Sequence, residues 1–136
     1  MSLAKDQRLI NILSKIYGDG IKGFHMYFSS SIFKNSEVTS PTEWHLDMPY
    51  WKGTTDKTAV WIALNKVTRE NGCLKYIARS HNKNYVLEDS EHGGMYKKGC
   101  INPNHIDKSD EVFVELEVGD VSLHHRNIVH GSEENT

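Results

Sequence analysis

Apolar residues recur at helical spacing in only one stretch of this chain. Leu9, Ile12, Leu13 and Ile16 fall on one face of a helix predicted from Asp6 to Tyr17. Asp6 can cap its start, and Gly18 and Gly20 can end it. Beyond that point the pattern changes to short runs of alternating, β-branched or aromatic residues. These predict strands at 21–28, 43–50, 58–64, 74–78, 111–116, 121–125 and 128–131. Turn chemistry separates them at Asn71-Gly72, Gly93-Gly94, Asn102-Pro103-Asn104 and Gly119-Asp120. The polar stretch 82–110 has neither period and reads as a loop or insertion with little structure of its own. Loops of that length in compact domains are more often active-site covers than spacers. One helix followed by about seven short strands points to a mainly β domain, a sandwich or barrel of the jelly-roll kind. Periodicity alone leaves an immunoglobulin-like sandwich open.

Composition narrows the function classes. The 136 residues amount to a single domain, 1–136. A net charge of −2 gives no broad positive field, which argues against nucleic acid as a partner. There is no run of eighteen apolar residues to span a membrane. The opening residues carry acidic Asp6 and no apolar signal segment, so a cytoplasmic location is expected. Cys73 and Cys100 could pair, but in that compartment two reduced thiols are the expectation. The unusual count is eight histidines, the commonest metal ligand among side chains.

Within Trp44-His45-Leu46-Asp47 an imidazole and a carboxylate stand two residues apart in a predicted strand. Strand side chains alternate, so His45 and Asp47 are expected on one face and Leu46 on the other. Two histidines and a carboxylate that leave positions open form the facial triad of non-haem Fe(II) oxygenases. A His-x-Asp pair is weak evidence by itself, as the second one shows. His105-Ile106-Asp107 follows Asn-Pro-Asn and precedes Lys-Ser-Asp, the setting of a solvated loop. The third ligand must come from a distant strand, and the C-terminal stretch offers His124, His125 and His130. Adjacent His124 and His125 cannot both face the cavity. His130 is followed by Gly131, which permits close approach of backbone or ligand. On the residues alone, His130 and His125 both stay open.

Several blocks together resemble the phytanoyl-CoA dioxygenase family of Fe(II)/2-oxoglutarate-dependent oxygenases. Trp44 to Trp51 is similar to its first metal motif. Ala59 to Leu64, Glu70-Asn71-Gly72-Cys73-Leu74 and Ser80-His81 are similar to its central signature. Gly119-Asp120 and His130-Gly131-Ser132 with Asn135 are similar to its closing motif. The blocks fall in the family's order across roughly residues 20–136. The resemblance implies a cupin-like double-stranded β-helix with an N-terminal helix, and an iron held by His45, Asp47 and His130. It implies 2-oxoglutarate and O₂ as co-substrates, with hydroxylation of a small organic substrate and release of succinate and CO₂. By the same resemblance Trp61 lines the 2-oxoglutarate pocket and Ser132 hydrogen-bonds the co-substrate's far carboxylate. Aspartate at position 47 implies hydroxylation, because related halogenases carry a small residue there.

The sequence also departs from the family's pattern. Ala78-Arg79 replaces a common Pro-Gly turn. The family places an arginine about ten residues beyond the distal histidine to pair with 2-oxoglutarate, whereas this sequence ends at Thr136. That motivates the expectation of a missing C-terminal strand and weak co-substrate binding, with Arg126 or Lys75 as possible substitutes. Two rival readings follow: a non-catalytic metal- or ligand-binding jelly roll, and an unrelated metal-dependent cupin enzyme such as an isomerase.

Overall fold

A computed structural model describes residues 3–35, 37, 40–51, 53, 56–90 and 98–136. Two compact units emerge, 1–33 and 34–136. In the first, helix α1 (Gln7–Tyr17) begins where Asp6 accepts a hydrogen bond from Arg8 N at 2.9 Å. It ends where Gly18, at φ 80°, returns its N–H to Ser14 O. Residues 21–28 do not form the expected strand; they join no ladder and are exposed throughout. Alternating apolar residues make a strand only where a neighbouring backbone takes up their hydrogen bonds.

The second unit contains the other six expected strands, mostly with shorter ends. They are β1 (Thr42–His45), β2 (Thr58–Ile62), β3 (Leu74–Ile77), β4 (Glu111–Val114), β5 (Val121–His125) and β6 (His130–Ser132). A four-stranded antiparallel sheet runs in the order β1-β6-β3-β4, and β2 pairs with β5 in a second sheet. Of the predicted turns, one appears at Asn71-Gly72, where Asn71 Oδ1 accepts from Thr68 N at 2.7 Å, and one at Gly119, with φ 91°, while Gly93-Gly94 lies outside the described residues. This is the cupin-like, double-stranded β-helix architecture. No helix among the described residues is long and apolar enough to cross a membrane.

The two faces of the larger sheet differ in chemistry. Trp44, Ile77 and Val129 sit next to the inward-turned His45, Tyr76 and His130, so alternation sends them to the opposite face. There they join Leu46, Ile101 and Ile106 in the hydrophobic core, with Tyr85 and Leu87 packed against it. Two of the six cluster residues, and both side chains packed against them, therefore come from the stretch 82–110. Its backbone also extends the sheet: Ile101 N donates to Trp44 O at 2.8 Å and Leu46 N to Gly99 O at 3.1 Å. Cys73 and Cys100 are buried, unbridged thiols. Fully burying a side chain such as Ile77 or Val129 stabilises the fold by about 1.5–3 kcal/mol. The face between the sheets is left for polar groups.

Candidate metal centre

Two local features bring the polar groups together. Opposite Thr42 and His45 of β1 stand Ser132 and His130 of β6, so β1 spends one residue more than its partner and bulges at the site. Bulges re-aim side chains, and this one is allowed by Gly131. A Cβ there would lie 2.7 Å from Thr42 O and 3.3 Å from Glu43 O. The second feature corrects the expected geometry of the His-x-Asp pair. β1 stops at His45, and Asp47 sits in a helical bend (φ −73°, ψ −24°) that opens the turn Met48–Tyr50. Pro49 at the start of that turn has no N–H to give a ladder. Asp47 therefore reaches the site from a bend, not by strand alternation.

His45, Asp47 and His130 converge: one donor atom from each lies within 4.8 Å of the other two, and all three residues are buried. Asp47 Oδ1 is 3.9 Å from His45 Nε2 and 3.8 Å from His130 Nε2, and the two imidazole centroids are 4.1 Å apart. His45 Nδ1 donates to Glu43 O at 2.8 Å, and His130 Nδ1 donates to Ile128 O at 3.0 Å. With the proton held on Nδ1, the Nε2 lone pair of each ring is presented toward Asp47. Adjacent ligands of an ion bound at about 2.1 Å stand about 3 Å apart, so the carboxylate oxygen must close on each imidazole nitrogen by about 1 Å, and the two nitrogens on each other by up to about 2 Å. The donor set and its tethering fit a first-row divalent ion with open positions.

Electrostatics support the same state. Burial pushes both histidines down, His45 below the ordinary imidazole range and His130 to about 3, where His45 and His124 add to the effect. Burial alone would raise Asp47. The hydrogen bond from His124 and the nearby imidazoles outweigh it and hold the carboxyl below 3.8. Unprotonated imidazoles beside a carboxylate are the form a metal requires.

The remaining predicted residues are distributed around this centre. Ser132 is buried two residues beyond His130 on β6, which places it on the same face. Trp61 is partly buried on β2 opposite Ser122, and Ala59 stands opposite His124, so Trp61 faces the same side as both β5 residues. His125 points away from the centre, its ring 6.2 Å from that of His81. Of the two histidines left open by the residues alone, the group that converges contains His130 and not His125. His124, which sequence reasoning passed over, is buried with Nε2 3.3 Å from Asp47 Oδ2. The signal that finds it is the Ser122-x-His124 alternation once the β2–β5 register is known. His105 is exposed, and Asp107 caps a turn by accepting from Ser109 N at 3.0 Å and Ser109 Oγ at 2.7 Å. Neither proposed substitute cation reaches the centre. Lys75 lies on the far face, 4.7 Å above the Trp44 ring and 2.5 Å from Glu133, and the Arg126 guanidinium donates to Gly53 O at 3.4 Å.

Known proteins share this double-stranded β-helix fold and much of this sequence. EvdO2 from Micromonospora carbonacea var. aurantiaca, solved with 2-oxoglutarate, superposes with a TM-score of 0.61 at 23% identity, over 75% of this chain and 42% of its own. The phytanoyl-CoA dioxygenase domain-containing protein 1 homolog of Dictyostelium discoideum is 31% identical over 126 residues, 89% of this chain and 43% of its own length. The probable alpha-ketoglutarate-dependent hypophosphite dioxygenase of Stutzerimonas stutzeri is 25% identical over 138 residues, 98% of this chain and 47% of its own. The phytanoyl-CoA dioxygenase (PhyH) family model matches residues 4–136, and the chain belongs to that family. It spans less than half the length of these curated relatives.

Proposed function

We propose that this chain is the iron-binding part of a 2-oxoglutarate-dependent oxygenase that hydroxylates a small organic substrate, with His45, Asp47 and His130 as the ligands. The convergence of their donor atoms within 4.8 Å, each imidazole tethered through Nδ1, carries the reading. Iron, when bound, supplies the open positions at which 2-oxoglutarate and O₂ react to give succinate, CO₂ and an oxidant for a C–H bond. The chain's own residues hold those positions open and keep water out. Asp47 provides an anionic ligand between two imidazoles, and Tyr76 and His124 close the space beneath it. Ser132 shares a strand face with His130, and Trp61 faces the same side as Ser122 and His124. Those positions suit one hydrogen bond to the co-substrate's far carboxylate and one apolar wall.

A second reading, a metal-binding jelly roll without turnover, draws support from the placement of Lys75 and Arg126. Calorimetric titration of 2-oxoglutarate into Mn(II)-loaded chain, without O₂, separates the two. The oxygenase reading expects heat that needs the metal and disappears in Asp47→Ala. Metal retention with no 2-oxoglutarate response selects the second reading.

A further inference from the structure

The two oxygens of Asp47 have different surroundings. Oδ1 is the atom that lies 3.9 Å and 3.8 Å from the Nε2 atoms of His45 and His130. Oδ2 is held by a third imidazole, His124, whose Nε2 is 3.3 Å away. His124 comes from β5 in the facing sheet and is buried. Its Nδ1 lies 2.9 Å from the Tyr76 hydroxyl, which in turn lies 3.0 Å from Ser122 Oγ.

The directions of these bonds follow from two premises, that a carboxylate only accepts and that a neutral imidazole carries a single N–H. With a neutral ring, His124 donates from Nε2 and its Nδ1 lone pair accepts the tyrosine proton. The Tyr76 oxygen, its own proton committed, accepts from Ser122. The chain of donors runs Ser122 to Tyr76 to His124 to Asp47 and ends on a metal-ligating carboxylate. The backbone around Asp47 is held by Leu46 N to Gly99 O and Met48 N to Arg126 O, both at 3.1 Å, so what His124 adds is the orientation of the carboxylate in its bend beyond β1.

We infer that His124, oriented by Tyr76 and Ser122, is a positioning residue that restricts Asp47 to one-oxygen coordination and so keeps the ion's other positions open. The inference rests on the metal-centre reading above. A carboxylate with two uncommitted oxygens can chelate through both and close a position that a co-substrate needs. A buried N–H on Oδ2 removes that option and fixes the direction of Oδ1. Loss of outer partners of this kind typically costs 10–100-fold in metal affinity.

The test uses the 136-residue chain with Co(II) as the probe, read by visible absorption for both affinity and coordination. His124→Phe keeps the bulk and removes the donor, and His124→Gln restores an N–H near the place of Nε2. Tyr76→Phe removes the group that orients the ring, and His130→Ala controls the metal-centre reading. Wild type is expected to bind one Co(II), and His130→Ala to lose it. His124→Phe should bind about 10–100-fold more weakly with an altered spectrum, and Tyr76→Phe should fall between it and wild type. His124→Gln should recover to within about threefold, with the wild-type spectrum. Urea midpoints of the metal-free proteins reveal any folding defect. If His124→Phe does not fold, Gln at that position must still keep affinity and Tyr76→Phe must still lose it. The relay alone is overturned when His130→Ala loses Co(II) while His124→Phe binds like wild type, or when His124→Gln is as weak as His124→Phe. Complete loss in His124→Gln makes His124 a ligand itself and also overturns it. A wild type that binds no Co(II), or a His130→Ala that binds normally, brings down the metal-centre reading and the relay with it.

Discussion

Acidifying the metal-free protein should loosen the fold through its buried histidines. His130 is held at about 3 by burial, against 6.5 for an ordinary imidazole. Between those values the unfolded chain binds a proton that the native chain refuses. Stability therefore falls as pH falls, by about 1.4 kcal/mol per pH unit for this group. From pH 7.5 to 5.5 the loss from His130 is about 1.4 kcal/mol, because its unfolded form begins to charge only near 6.5. His45, also pushed down by burial, adds in the same direction. Asp47, whose carboxyl is lowered from 3.8, keeps its contribution throughout this window. Against a total of about 5–15 kcal/mol for a domain, the loss is easily measured. Urea unfolding with chelator present, at pH 7.5, 6.5 and 5.5, should show the decline in wild type and a decline smaller by about 1.4 kcal/mol in His130→Gln. Equal declines in the two proteins, or stability that rises on acidification, would refute the reasoning.

Other substitutions probe the supports of the site. Gly131→Ala places a methyl 2.7 Å from Thr42 O, so β1 and β6 must separate. Destabilisation of about 1–3 kcal/mol and at least about tenfold weaker Co(II) binding are expected; unchanged melting and titration curves would show the approach is not tight. Arg79 is the one described non-glycine residue with a left-handed backbone (φ 60°), at the turn where the family's pattern has Pro-Gly. Arg79→Gly should be neutral or stabilise by up to about 1 kcal/mol, since its ion pair with Asp110 has a largely exposed arginine. A clear drop in melting temperature would mean that the pair outweighs the strain.

Much of the site was legible because its signals are local. The period of two marked the six strands of the main unit, and the blocks around His45, Asp47 and His130 identified the three residues that converge. What stayed hidden depends on contacts between distant segments. Nothing in 21–28 announces that its alternating residues join no ladder, and Pro49 converts the expected strand continuation into a bend by removing a donor. His124 and His125 are chemically alike, and only the pairing of Ala59 with His124 and Thr58 with His125 decides which one faces Asp47. Ile101 and Ile106 stand isolated among polar residues, so no period marks them. Yet they cover the apolar face that Trp44, Ile77 and Val129 present. The polarity of the inner face, with the core moved to the outer one, is a property of the assembled sheets.

Anaerobic Fe(II) titration followed by metal analysis of the desalted protein asks directly whether His45, Asp47 and His130 hold one metal ion. One iron per chain is expected in wild type, and less than about a tenth of that in each of His45→Ala, Asp47→Ala and His130→Ala. His105→Ala and His125→Ala should retain the full complement. Full iron retention in His130→Ala, or loss of iron in His125→Ala with His130→Ala unaffected, would contradict that ligand set.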